Sequence, residues 1–197
     1  MKLIIKYTLY IILLFIIFAC EQKVDDKKNI YNEKVLLSEK EEINEVLNVS
    51  FHVPQNYTKM PSSLKEKLVG RIKKRGDDDF IVYAPNSYYY NDENKSLFQV
   101  GIIKRKNVAS IDSLSIENYI TIYKIFNNGL NIEVTDLNNM IMKIKQIKII
   151  KNDLITFKFL FVNHNKEIIQ FDFSINQANY NDIYPIAIET LKSIKLL

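Results

Sequence analysis

Apolar and polar residues alternate along two segments in the last third of the chain. The segment "ITFKFLFV" places its three phenylalanines on one side of a strand. The segment "IIQFDFSI" places Gln170, Asp172 and Ser174 opposite its apolar residues, and "NHNK" joins the two segments. A period of two is typical of strands, so this stretch predicts a β-hairpin. We interpret the polar positions of the second strand as a solvated face of the sheet.

Earlier segments predict four more strands. The apolar residues of "VSFHV" alternate with Ser50 and His52, and Pro54 ends that segment. The apolar runs "DFIVYAP" and "SLFQVGIIKRK" are the next two. In "MIMKIKQIKII" the apolar phase slips by one residue at Gln146. A slip of one residue turns the side chains to the other face, so we expect a bulge or a turn near Lys145–Gln146.

Four segments have the spacing of helices. In "PSSLKEKLVGRIKKRG" the apolar residues recur every four positions from Leu64, and Ser63 has capping-box spacing to Glu66. "SIENYITIYKIFNNG" has an apolar face that contains Tyr119. A last helix is expected from about Asn181, and "SEKE" suggests a short one from residue 38. The whole order predicts one α+β domain over residues 46–197, with helices packed on an antiparallel sheet.

The N-terminus has the order of a secretory signal peptide. Lys2 and Lys6 precede an apolar run that ends at Ala19, and Cys20 is followed at once by polar residues. The run would span roughly 20 Å as a helix, which is less than the roughly 30 Å of a bilayer core, although a retained transmembrane helix is the alternative. "IFAC" resembles a bacterial lipobox, and that resemblance implies cleavage before Cys20 and acylation of its thiol.

These predictions divide the chain into three parts. Residues 1–19 are the signal peptide, residues 20–45 contain the acylated cysteine and a polar tether, and residues 46–197 form the domain. The alternative for Cys20 is a buried free thiol, which the polar residues after it do not favour. A disulfide within the chain is excluded because there is no second cysteine. The predicted location is the cell membrane or the outer membrane, with a lipid anchor and a periplasmic or surface-exposed domain.

The composition does not favour a nucleic-acid partner, and it offers few residues for a metal site or for catalysis. Without Lys2 and Lys6 the chain has 25 basic and 23 acidic residues, so the charge does not indicate a nucleic-acid partner. His52 and His164 are the only histidines, and neither pattern brings several metal ligands together. The run "DDD" at 77–79 lacks the spacing of a calcium loop and is interpreted as a solvated turn. We therefore expect no metal site, no cofactor and no catalytic residues.

Two surface features are candidates for binding. Tyr88, Tyr89 and Tyr90 stand in a row, and tyrosines suit contact surfaces; the alternative is packing against the sheet. Because neighbouring strand residues face opposite sides, we expect at least one of the three to be exposed. The basic segment 65–75 is suited either to anionic lipid headgroups or simply to solvent.

Two stretches carry a family resemblance, "VSFHVPQNY" and the closing "KEIIQFDFSINQANYNDIYPIAIETLKSIKLL". Together they resemble the PsbP-like superfamily, which includes bacterial DcrB-type lipoproteins, and the resemblance extends over about Val46 to Leu197. It implies an αβα sandwich around an antiparallel sheet, without shared catalytic residues.

Two functions from different classes follow from the sequence. The first is a membrane-anchored, non-enzymatic binding or assembly module of the envelope, which contacts the bilayer through acylated Cys20 and an unidentified envelope protein through its domain. The alternative is an envelope hydrolase or a metal-dependent enzyme whose site is assembled from scattered residues. A concave polar pocket would favour the enzyme, whereas a flat aromatic patch would favour the binding module.

Overall fold

Two antiparallel sheets form the framework of the protein. The structure is a computed structural model and describes residues 37–66, 81–105, 115–137, 140 and 142–197. In chain order the strands are β1 (Leu37–Asn44), β2 (Val49–Pro54), β3 (Thr58–Lys59), β4 (Ile81–Asn91), β5 (Ser96–Arg105), β6 (Asn131–Leu137), β7 (Ile144–Lys151), β8 (Leu154–Val162), β9 (Ile168–Asn176) and β10 (Lys195–Leu196). The small sheet has the order β1-β2-β10, and the large sheet has the order β3-β4-β5-β9-β8-β7-β6.

Two helices that the structure describes over their full length pack on this framework. Helix α1 (Ile116–Phe126) follows Ser115, whose side chain accepts a hydrogen bond from the Asn118 backbone N–H and so caps the helix. Helix α2 (Tyr180–Lys192) follows a single 3₁₀ turn, Gln177–Asn179. Residues 62–66 are also helical, at the start of the helix predicted from Ser63; the rest of that prediction lies outside the described residues.

The large sheet is buried on both faces by different elements. One face packs with α2 and β2 in the main core, which contains Phe98, Phe159, Phe171 and Phe173. The other face packs with α1 in a smaller core. The predicted α+β class and its antiparallel sheet flanked by helices are therefore confirmed, as are the hairpin of β8 and β9 and the strand β2.

The two faces of strand β7 pack in different cores, and this explains its apolar pattern. Each residue from Ile144 to Ile150 pairs with β6 in an unbroken register, so the bulge predicted near Lys145–Gln146 is wrong. Ile144 packs in the main core, whereas Ile147 and Ile149 pack in the smaller core. The apolar phase slips because successive residues meet different cores, not because the backbone changes register.

Strand β9 corrects the prediction of a solvated face. Gln170 is 0% exposed and Asp172 is 6% exposed, because α1 lies over this side of the sheet. A strand whose two faces are both covered buries its polar positions as well as its apolar ones.

The range 20–45 that the sequence assigns to a tether includes a strand of the domain. Residues Leu37–Asn44 form β1, which pairs with β2, so the helix predicted from Ser38 is wrong. Asn44 is buried and its Nδ2 donates to Asn86 Oδ1 at 2.8 Å. Glu41 accepts a hydrogen bond from Ser50 Oγ at 2.6 Å. Pairing with a neighbouring strand outweighs the local capping signal, and the compact unit that contains β1 begins at Val35.

Candidate functional site

A buried polar cluster lies between the large sheet and α1. Lys158 Nζ is 3.0 Å from Asp172 Oδ2. Gln170 Nε2 donates to Asp172 Oδ1 at 2.8 Å, and Tyr119 OH donates to Gln170 Oε1 at 2.9 Å. The chain of contacts thus joins β8, β9 and α1.

The hairpin register and the helix together assemble this cluster. Lys158 and Asp172 are directly opposite each other in the pairing of β8 with β9. The ammonium group of Lys158 lies 5.6 Å from the ring centre of Tyr123 and 5.7 Å from that of Tyr83. Two aromatic faces therefore add cation–π contacts to the ion pair.

Burial and charge shift the pKa values of the pair. Burial raises the pKa of Asp172 above its ordinary value, and the nearby Lys158 offsets only part of that rise. Burial acts to lower the pKa of Lys158, but the charge of Asp172 outweighs burial and raises it. Burial also raises the pKa of Tyr119.

The cluster is suited to holding α1 on the sheet, not to acid–base catalysis. Asp172 and Gln170 are each engaged by neighbouring side chains, and Tyr119 is 5% exposed. A raised pKa keeps Lys158 protonated, so it offers no base. We interpret the cluster as the polar anchor of α1 on the sheet.

A cleft of about 700 Å³ opens beside the first turn of α1. Its lining residues come from α1, the end of β6, the start of β7 and the end of β8: Ser115, Ile116, Glu117, Asp136, Leu137, Met142, Lys143, Ile144, Lys145 and Val162. The lining combines apolar and charged side chains, which is the usual composition of a site that binds a ligand or a side chain of a partner.

Three polar side chains of the lining are already engaged, those of Ser115, Asp136 and Lys145. Lys145 Nζ is 2.7 Å from Asp136 Oδ1. That contact, together with the charge of Glu117, raises the pKa of Lys145, so the amine stays protonated. The hydroxyl of Ser115 caps α1. Among the described residues that line the cleft, these side chains orient a bound group by charge and do not form a nucleophile with its base.

The tyrosine triplet does not form the exposed patch that the sequence suggests. Tyr88 and Tyr89 are both 3% exposed, and Tyr90 is half-buried. The expectation that at least one of the three is exposed therefore rests on Tyr90 alone. Only part of the Tyr90 side chain is accessible for the predicted partner contact.

Each buried tyrosine has its own partners. Tyr89 stacks on Phe98 with ring centres 5.4 Å apart and meets Phe51 edge-on at 6.3 Å. Tyr88 lies on the other face of β4, where Lys65 Nζ is 5.4 Å from its ring centre. Packing on both faces of β4 explains why a polar-looking run is buried.

The remaining candidates are dispersed. His52 is half-buried in β2, with Nδ1 2.8 Å from the Ser38 carbonyl oxygen, and His164 is exposed in the turn after β8. No group of three or more His, Cys, Asp or Glu suited to a metal ion occurs in the described part of the chain. Cys20, the aspartates 77–79 and the basic residues 67–75 lie outside the described residues.

Sequence reasoning missed both the buried cluster and the cleft. The sequence signal for the cluster was a lysine between phenylalanines on one strand of a hairpin, with an aspartate on the other strand. The cleft has no such signal in the sequence, because its residues are spread along the chain between 115 and 162. No helix within the described ranges is long and apolar enough to cross a membrane.

The fold is similar to those of a few solved proteins. The solution structure of cyanobacterial PsbP (CyanoP) from Synechocystis matches with a TM-score of 0.49 and 11% identity, over 80% of this chain and 92% of that one. The Ran-binding protein Mog1p of Saccharomyces cerevisiae matches with a TM-score of 0.43 and 10% identity, over 82% of this chain and 96% of that one. No family model and no curated protein matches the chain. At this level the likeness concerns the fold and carries no argument about function.

Proposed function

We propose that this chain is a lipid-anchored envelope protein whose domain binds a partner without catalysing a reaction. The observation that carries the proposal is Cys20, which stands directly between the apolar run and the polar residues that follow. Acylation of that thiol would attach the mature chain to a bilayer, and the bilayer is then its first partner.

The start of the domain gives the anchor a defined reach. Residues 21–36 separate Cys20 from β1. At most about 3.4 Å per residue, these 16 residues span up to roughly 55 Å. The tether is therefore shorter than the sequence suggests, and it keeps the domain within one or two domain diameters of the membrane.

The cleft supports the binding half of the proposal. Its lining contains the apolar residues Leu137, Ile144 and Val162, and the last of these is 44% exposed. Apolar lining residues stabilise an apolar group, while the Asp136–Lys145 pair in the same lining favours polar atoms around it. We propose that an apolar side chain of an envelope protein occupies this cleft.

A concave cleft is also the feature that would favour the enzyme alternative. A hydrolase needs a nucleophile with a base, and a metal enzyme needs several converging ligands. The lining of the cleft has Ser115 engaged as a helix cap and Lys145 held protonated by Asp136. These contacts favour the binding module.

Replacing Cys20 tests the anchor. In a bacterial host fed with a palmitate analogue, Cys20→Ser should lose the label and accumulate as the uncleaved precursor. Gln22→Asn is the matched control, and it should label and mature like the unmodified chain. Labelling of the Ser variant, or an unmodified chain that takes no label, would contradict the anchor.

Site-specific photocrosslinking in the same host tests the cleft. A photoreactive phenylalanine at Val162 should give an adduct of one discrete mass. The same probe at Leu64, which is 46% exposed and stands next to Lys65 on the β4 side of the large sheet, is the control and should give none. Equal adducts from both positions, or none from Val162, would rule out the cleft as the contact site.

A further inference from the structure

Three large apolar side chains are exposed at one corner of the domain. Ile125 and Phe126, the last two residues of α1, are 65% and 69% exposed, and Leu154, the first residue of β8, is 47% exposed. We call these three residues the apolar tip.

The topology places the three residues on the same side of the large sheet. Along β8 every second residue points toward α1, and Leu160 packs in the smaller core with α1. Leu154, six residues earlier, therefore points to the α1 side. Ile125 and Phe126 belong to α1 itself.

The three residues also lie at the same end of the sheet. After α1 the chain turns into β6, whose first residue, Asn131, pairs with Ile150. The next residue of β7, Lys151, pairs with Leu154. The end of α1 and the start of β8 are thus brought to one end of the strands.

Two lysines accompany the apolar tip. Lys124 is exposed on the last turn of α1, and Lys151 is exposed directly across from Leu154. Asp153, in the turn between Lys151 and Leu154, places an acidic residue at the same corner. Bulky apolar side chains with lysines beside them are the combination that binds an anionic lipid surface.

The chain enters the domain at this same end of the strands. Leu37, at the start of β1, pairs with Pro54 at the end of β2. Tyr57 follows shortly after and hydrogen-bonds to Ser96, the first residue of β5. The first residue of β5 lies at the end of the large sheet where β8 begins, because β5 and β8 both run antiparallel to β9.

We propose that the apolar tip inserts into the lipid bilayer to which the chain is anchored. This inference rests on the proposed function, because the tether brings the tip to the membrane. A domain of this size has a radius of gyration of about 15 Å, so a tether of up to roughly 55 Å leaves its orientation free. The tip then fixes which end faces the lipid, with its apolar atoms about 5–10 Å deep in the headgroup boundary.

A single tryptophan reports the contact directly, because the chain has none. The full chain carrying Phe126→Trp is reconstituted into vesicles of phosphatidylglycerol and phosphatidylcholine, with and without brominated acyl chains. We expect blue-shifted emission and quenching by the brominated lipid. Ile43→Trp is the matched control, because Ile43 is 61% exposed near the far end of β1, and it should be neither shifted nor quenched.

A second reporter and a charge test complete the experiment. Leu154→Trp should be quenched like Phe126→Trp, so one poorly folded variant does not decide the result. Adding Lys124→Gln and Lys151→Gln to the Phe126→Trp chain should lower the ratio of inserted to free tip about fivefold per lysine in anionic vesicles. In phosphatidylcholine alone the two lysine substitutions should have little effect.

Quenching that is absent at both tip positions, or equal at the tip and at Ile43, would overturn the proposal. The reconstitution works through the acyl group where Cys20 is processed, and through the retained N-terminal apolar run where it is not. Failure of acyl labelling with retained quenching therefore refutes the lipid anchor and leaves the tip intact, and the reverse result refutes the tip alone.

Discussion

Breaking the Lys158–Asp172 pair should destabilise the domain more than any exposed ion pair. Asp172→Asn keeps an oxygen that accepts from Gln170 Nε2 and removes only the charge. Lys158 is then left as a buried ammonium group between Tyr83 and Tyr123. Lys158→Met removes the other partner and leaves a buried carboxylate.

The magnitude follows from distance and burial. Two unit charges 3.0 Å apart attract by about 5 kcal/mol at an effective dielectric constant of 20. Removing one partner of a buried pair costs about 3–5 kcal/mol in the free energy of unfolding, since the other charge stays desolvated. For a domain of this length that loss lowers the melting temperature by roughly 6–20 °C. The double variant Lys158→Met/Asp172→Asn has no uncompensated charge and should recover most of the loss.

Urea unfolding followed by circular dichroism measures all three variants at constant pH. The matched control is Lys148–Glu133, which also joins adjacent antiparallel strands, at 3.1 Å but with Glu133 half exposed. Lys148→Met should cost no more than about 1 kcal/mol. If Asp172→Asn costs as little as Lys148→Met, or if the double variant is the sum of the two single variants, the pair is not an energetically coupled buried unit.

The pH dependence of stability should differ between Lys158→Met and Asp172→Asn. Burial already raises the pKa of Asp172, and removal of Lys158 raises it further. A carboxyl whose pKa is higher in the folded state than in the unfolded state binds its proton more readily when folded, so stability rises as the pH falls. The cost of Lys158→Met should therefore shrink between pH 7 and pH 5, whereas that of Asp172→Asn should not. An equal pH dependence in both would contradict the assignment.

Two further predictions concern the strand β1 and the buried tyrosines. A chain lacking residues 1–44 should be less stable in urea than one lacking residues 1–34 by roughly 1–5 kcal/mol, because five cross-strand pairs with β2 are lost; equal stability would make β1 dispensable. Among the described residues, burial raises the pKa of six tyrosines, and the unfolded chain releases their protons first. Stability should therefore fall as the pH rises above about 10, with a cooperative rise of tyrosinate absorbance; independent, non-cooperative ionisation would contradict this. The six are Tyr57, Tyr83, Tyr88, Tyr89, Tyr119 and Tyr123.

The sequence predicts the strands and helices well where one face is apolar. The hairpin of β8 and β9, the strand β2 and the helix α1 all follow from periodicity, since each packs a face of apolar residues in a core. Periodicity misleads where a second layer covers the other face. Gln170 and Asp172 have the pattern of solvated residues, yet α1 covers them. No local feature of β9 indicates that it packs against a helix about 50 residues earlier in the chain.

The cleft could not be predicted from the sequence for a related reason. The cleft is formed by residues from four elements whose order along the chain says nothing about their meeting point. The tyrosine triplet, in contrast, has a conspicuous local composition and proved to be packing. The register of β4 shifts between Pro85 and Ser87, so the faces of the following residues are set by a bulge that composition does not reveal.

One helix connects the cleft, the polar cluster and the apolar tip. The first turn of α1 lines the cleft, Tyr119 and Tyr123 cover the Lys158–Asp172 pair, and Phe126 ends the helix in the tip. Eleven residues of helix span about 16 Å. If the tip lies in the headgroup region, as we propose, the cleft opens at the opposite end of α1, roughly that distance above the lipid. A partner that enters the cleft would then approach from the aqueous side, and the buried ion pair would set the position of both ends of the helix at once.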